Sequence, residues 1–286
     1  MQTLKMERKD YPAVGEAVYQ TTLRNGLKVF LLPKRDFNET YGIMTANFGS
    51  IDTSFIPRGS NQAVQYPAGV AHFLEHKLFE DENGQDLLQQ FVELGAESNA
   101  FTSFTKTSYL FSATDNVLEN VRLLQSLLEN AYFTEESVQR EQGIIQQEID
   151  MYKDNPDYCL FFHTLANLYP DTPLAEDIAG SVESIAEITV EDLDENFETF
   201  YHPSNMSLLL IGNFDLEKTI AVIREQHESL KGIDEESLIR RFPLALNPVI
   251  STGSIRMKVA NSKLAIGLRG NQSLAEVDLF RYKIGL

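Results

Sequence analysis

The sequence predicts an α+β fold, a largely antiparallel sheet covered by helices, on three observations. Short apolar runs such as LKVFLLPK (27–34) and SLLLIGNF (207–214) have the length and composition of strands. Segments such as NVLENVRLLQSLLENA (116–131) place apolar residues at helical spacing. The two kinds follow one another in mixed order over about 230 residues, without a regular strand–helix repeat. One complete domain is expected over residues 1–232, a linker over 233–253, and the start of a second unit over 254–286.

The elements follow in order. LKVFLLPK comes after Arg24-Asn25-Gly26, a turn signal, and reads as a strand. YGIMTANFGS (41–50) is a second strand, mostly apolar, ending at a glycine. After a loop, Tyr66-Pro67-Ala68-Gly69 opens a helix that runs to Phe79, since proline is tolerated in a first helical turn. QDLLQQFVELG (85–95) is a helix closed by Gly95. ESNAFTSFTKTSYLFSAT (97–114) alternates only partly, and reads as one long strand or a hairpin. Thr134 is a helix N-cap, with Glu135 and Glu136 well placed in the first turn of the helix that follows. Polar loops and short helices fill 154–200; a strand at 207–214 and a helix at 215–232 come next. SIRMKVA (254–260) and KLAIGLRG (263–270) read as new strands, in an order weakly similar to the opening of the chain.

Composition narrows the function classes. The chain has 286 residues, 24 Lys+Arg against 42 Asp+Glu, and a formal net charge of −18. That balance disfavours nucleic acid, whose phosphates need a basic surface, and anionic membranes. It suits cationic peptides, and it serves equally as a solubility device. Cys159 is the only cysteine, so no intrachain disulfide forms and a cysteine-based zinc site is excluded. The N-terminus lacks an apolar signal region, and no run of about 20 apolar residues exists to span a membrane. A cytoplasmic protein is expected.

The chemistry concentrates in AHFLEHKLFE (71–80), which places His72, Glu75 and His76 within five positions of a chain that has five histidines. At about 100° per residue these three share one helix face, opposite Val70, Phe73, Leu74 and Leu78. Imidazoles at i and i+4 can close on one ion, with Glu75 beside them to act on a metal-bound water. The pattern is H-x-x-E-H, an inverted zinc-peptidase motif. A catalytic zinc takes a third protein ligand. His163, His202 and His227 are scattered and read as surface or packing residues. Glu141 and Glu148 are seven apart and share a helix face, separated along the axis by about 10.5 Å. Both cannot bind one ion; one could ligate while the other supports, and spacing does not choose between them.

GVAHFLEHKLFE, followed some seventy residues later by REQGIIQQEIDMY, resembles the pitrilysin family of zinc metallopeptidases, and within it small bacterial members. The resemblance covers roughly residues 15–286. It implies Zn²⁺ as the cofactor, His72, His76 and Glu148 as its ligands, Glu141 as an outer supporting residue, and Glu75 as the general base. ESNAFTSFTKTSYLF is similar to the family's substrate-side edge strand, which implies that Asn99 and Ala100 face a substrate backbone. The implied activity is endopeptidase cleavage of extended or unfolded peptides. The family pairs two homologous domains around a chamber, and LFRYKIGL (279–286) falls early in the second, so the family's second-domain Arg and Tyr have no counterpart here. A truncated chain, a homodimer, or a heterodimer with a paralogous subunit is therefore expected. Members can also act as non-catalytic scaffold subunits, usually with a degraded motif.

Overall fold

A computed structural model of the chain describes residues 6–57, 60–80, 84–127, 131–227 and 247–270. Its central sheet comprises β1 (Glu7–Tyr11), β2 (Glu16–Thr22), β3 (Lys28–Pro33), β4 (Thr40–Ala46), β7 (Ala96–Thr102), β8 (Thr107–Ala113) and β9 (Met206–Gly212). Their order is β1-β2-β3-β9-β4-β8-β7; β5 (Ser54–Phe55) and β6 (Val64–Gln65) form a separate small pair. Every neighbouring pair in the large sheet is antiparallel except β3–β9. Of the two readings open for 97–114, one long strand or a hairpin, the structure has the hairpin, turned through residues 103–106.

Period-two alternation decides which face is covered. Met44 on β4, Leu208 on β9 and Tyr109 on β8 are in register and fully buried. Leu31, Leu210 and Phe111 continue the same face. Against it lie α1 (Val70–Lys77), α2 (Leu87–Glu93) and α3 (Val117–Ser126), with α8 (Leu216–His227) packed on α3. The long α4 (Glu135–Lys153) contacts α1, α5 (Pro156–Leu168) and α6 (Val182–Glu187), while α7 (Val190–Phe200) supports α1 from another side. Thr134 caps α4 as its sequence predicts, with Ser137 completing a reciprocal pair of capping bonds. No helix of the described residues is long and apolar enough to cross a membrane.

The helix carrying the histidines begins later than its proline suggests. Pro67 precedes the helix, and Gly69 is the N-cap at φ +94°. A β-carbon on Gly69 would stand 2.5 Å from the Ala179 carbonyl oxygen, and one on Gly180 (φ +79°) would stand 2.4 Å from that of Ala68. The two glycines thus let two backbones touch just before α1 and α6. Ser184 Oγ donates to Ala68 O at 2.8 Å, and Tyr66 donates to Glu195 on α7 at 2.7 Å. Gly69→Ala is expected to destabilise the fold by about 2–3 kcal/mol, through positive-φ strain and steric overlap together. Chemical denaturation measures it, and a change below about 0.5 kcal/mol would show that the junction yields.

Residues 247–270 depart from expectation. SIRMKVA and KLAIGLRG form no strand pairs; the segment runs beside α5 instead. Ile250 N–H donates to Asn167 O, Lys263 pairs with Asp157, and Arg269 donates to Leu168 O. A strand needs a neighbour for its main-chain groups, and no described strand is available there. Leu264, Ile266 and Leu268 consequently stay 81–91% exposed. The end of the expected first domain, 228–232, most of the expected linker, 233–246, and the end of the expected second unit, 271–286, lie outside the described residues.

Candidate metal centre

Helix α1 buries Val70, Phe73, Leu74 and Leu78, as the apolar stripe predicts. The polar side of α1 meets α4, whose buried Val138, Ile145 and Ile149 seat it and leave Glu141 and Glu148 turned toward the histidines. His72 and Glu75 are themselves buried, while His76, Glu141 and Glu148 are half-buried. Glu75 and His76 line a cleft of about 560 Å³, together with Phe79, Ala100 and Glu141.

Distances separate the two glutamates, which spacing had left equivalent. Glu148 Oε2 stands 3.7 Å from His72 Nε2 and 3.4 Å from His76 Nε2. Donor atoms of these three residues all lie within 4.8 Å of one another. Two donors about 2.05 Å from one tetrahedral ion stand about 3.3–3.4 Å apart, so the set fits a zinc-sized ion with little movement. Glu141 reaches only the far nitrogen: its Oε1 accepts from His76 Nδ1 at 2.9 Å. In the metal-free site the other nitrogen, Nε2, faces Glu148 as a donor; an outer carboxylate on Nδ1 leaves Nε2 as the nitrogen that gives up its proton to ligate a metal.

Charge follows this geometry. Burial works to lower the His76 pKa, but Glu141 and Glu148 outweigh it and hold the imidazole up at about 9. The hydrogen bond with His76 keeps the Glu148 carboxyl below its usual range. Burial, and next the neighbouring His76, push His72 down to about 4. Burial also raises Glu75, against a hydrogen bond from Thr102. A second link ties α1 to α4: the fully buried Lys77 pairs with Glu80, which also pairs with Arg140. Sequence reasoning did not single out Thr102, Lys77, Glu80 or Arg140; the partial alternation of 97–102 hid which side chains turn toward α1.

The remaining expected residues fall as follows. Asn99 and Ala100 lie on β7, at the edge of the sheet and beside the cleft. Asn99 Oδ1 accepts from the Ala100 N–H at 2.8 Å, so the chain's own amide occupies that donor. His202 is buried and bonded to Ser204, and His163 packs against the stretch around Gly253. Neither belongs to the group formed by His72, His76 and Glu148; His227 ends α8.

Comparison with known proteins places the chain among zinc peptidases. Residues 54–182 match the family model described as Insulinase (Peptidase family M16), and residues 187–283 match the one described as Peptidase M16 inactive domain. An uncharacterized zinc protease of Bacillus subtilis, YmfH, is 46% identical over 261 residues, covering 91% of this chain and 61% of that protein. An uncharacterized zinc protease of Rickettsia felis is 28% identical, covering 85% and 60%. The chain thus spans about three-fifths of the length of these relatives. A solved M16-like peptidase from Alicyclobacillus acidocaldarius superposes with a TM-score of 0.75 at 36% identity, covering 84% of this chain and 54% of that one.

Proposed function

This chain belongs to the insulinase family of M16 peptidases, and from that premise we propose that it is a zinc-dependent metalloendopeptidase acting on extended or unfolded peptides. The observation that carries the reading is the convergence of His72, His76 and Glu148 on one point, with the Glu75 carboxylate on the same helix face. In this reading His72, His76 and Glu148 hold the ion, and Glu141 orients His76. Zinc held there would supply Lewis-acid chemistry toward a peptide carbonyl and toward water. Glu75 takes the water proton on its carboxylate and returns it to the leaving amine. Burial, which raises its pKa, makes it a better proton acceptor than a solvated glutamate. The free edge of β7 around Asn99 and Ala100 takes the peptide as an added strand, which requires Asn99 to release the Ala100 N–H.

The division into a metal-binding domain over 1–232 and a further homologous unit over 254–286, joined by 233–253, is part of the proposal, as is pairing with a second, related subunit. Digestion of an unfolded peptide, with and without a chelator, tests the activity. A protein that binds no zinc at neutral pH would instead favour the scaffold role.

A pH dependence follows from the His76 geometry. Below about pH 9 the metal-free imidazole carries a proton that the ion must displace. Zinc affinity is therefore expected to rise with pH, by about tenfold per unit, and to level off above about pH 9. At pH 7.5, calorimetry in buffers of different ionisation enthalpy should find about one proton released per ion bound. Release of none would show His76 already neutral in the free site.

A further inference from the structure

The free edge of β7 does not end in an open donor. Ser103 N–H bonds across the hairpin to Lys106 O, so by the alternation of an antiparallel ladder the main-chain groups of Ser98, Ala100 and Thr102 face outward. The Ala100 donor is covered by the adjacent Asn99 amide, which a bound strand can displace. The Thr102 donor goes to the Glu75 carboxylate, and the Thr102 hydroxyl donates to Glu75 Oε2 as well, at 2.5 Å. One residue thus grips the carboxylate twice, from the edge that the proposed function assigns to the peptide.

The grip is anchored from behind. Thr102 pairs in register with Thr107, and their hydroxyl oxygens stand 3.4 Å apart. Thr107 is fully buried and donates to the Phe48 carbonyl at 2.9 Å. Phe48 is stacked on Phe200 at 4.3 Å within the core. The carboxylate is therefore referenced to the sheet, whereas the two histidines are referenced to α1 and α4. Glu75 shares α1 with them, but a glutamate has three rotatable bonds, and the helix alone does not fix where its oxygens stand.

We propose that Thr102 is a positioning residue for the general base, and that it also sets the register of the substrate. Its N–H and O–H hold Glu75 at the end of the β7 edge. A peptide added to that edge can pair at Ser98 and Ala100. At Thr102 it meets Glu75 in place of a free donor, so its ladder stops there and its next peptide group lies against the carboxylate. This inference rests on the peptidase reading above. It predicts that the chemical step, more than binding, depends on Thr102.

The test compares native protein with Thr102→Val, which keeps the branched shape and removes the hydroxyl, and Thr102→Ser, which restores it. Glu75→Gln serves as the comparator, and zinc content is measured throughout. With an unfolded fluorogenic peptide, Thr102→Val should lower kcat by about 10- to 100-fold with KM changed less than about twofold. Thr102→Ser should recover to within about threefold of native. Crystal structures of native and Thr102→Val protein give a readout independent of turnover: the Glu75 carboxylate should leave its place against β7 in the variant. A carboxylate that stays put, or a serine variant as impaired as the valine one, would overturn the inference. If native protein and Glu75→Gln do not differ in turnover, the peptidase reading fails, and the two structures still decide whether Thr102 positions Glu75.

Discussion

Glu75→Gln is expected to bind zinc as tightly as the native chain and to cleave an unfolded peptide about 10²–10⁴-fold more slowly. The substitution is nearly isosteric. An amide can still accept from the Thr102 hydroxyl that now meets Glu75, so the fold and the three proposed ligands should be undisturbed. What disappears is a group able to take a proton. Metal analysis beside peptide turnover separates the roles, and zinc loss in Glu75→Gln would mean that this carboxylate is a ligand and that the base lies elsewhere. The 9% exposure of Glu75 favours the role of base, because a carboxylate screened from bulk water keeps its basicity for the reacting group.

The second large effect separates the two glutamates of α4. Glu148→Ala should abolish zinc binding at micromolar metal and abolish turnover with it, since it removes the one carboxylate oxygen that faces both Nε2 atoms. Glu141→Gln should be milder, lowering affinity by about 10- to 100-fold, because Glu141 touches only His76 Nδ1 and acts through that imidazole. Competition with a chelator of known affinity ranks the variants. Equal losses would mean that the outer carboxylate matters as much as the ligand; a larger loss from Glu141→Gln would reverse the assignment.

Where the sequence was legible, a local physical rule had one solution. The stripe of Val70, Phe73, Leu74 and Leu78 could bury only one side of α1, which turned His72, Glu75 and His76 together. Thr134 followed by two acids is a helix start whatever surrounds it. Spacing could not choose between Glu141 and Glu148, because the choice depends on the height at which α1 crosses α4, a tertiary quantity. The family resemblance supplied Glu148 at that point, and the distances favour it. The hairpin β1–β2 went unread, since every residue of ERKDY is exposed and an edge strand of that kind has no alternation to show. The helix PDYCLFFHTLANL was not picked out from the loops and short helices expected over 154–200, because α5 has apolar residues on several sides and buries none of them fully. Thr102 was invisible for another reason: it acts through a carboxylate 27 positions earlier in the chain.

The place of β9 in the sheet has a consequence for how the chain is made. β3 and β4 are separated by only six residues, 34–39, yet they are not partners; β9, more than 160 residues later, lies between them. As the polypeptide leaves the ribosome, two apolar strands therefore wait with a vacant slot between them until residue 212 has been synthesised. Both histidines and both glutamates emerge before the slot can be filled. Closing a loop of that length is slow, and unpaired strand edges recruit other chains in the meantime. Nascent chains released before residue 206 should accumulate in aggregates, whereas chains reaching residue 227 and beyond should be recovered in solution. The candidate metal centre is thus encoded early and completed late, and the interval is one in which the cell must keep the growing chain from premature association.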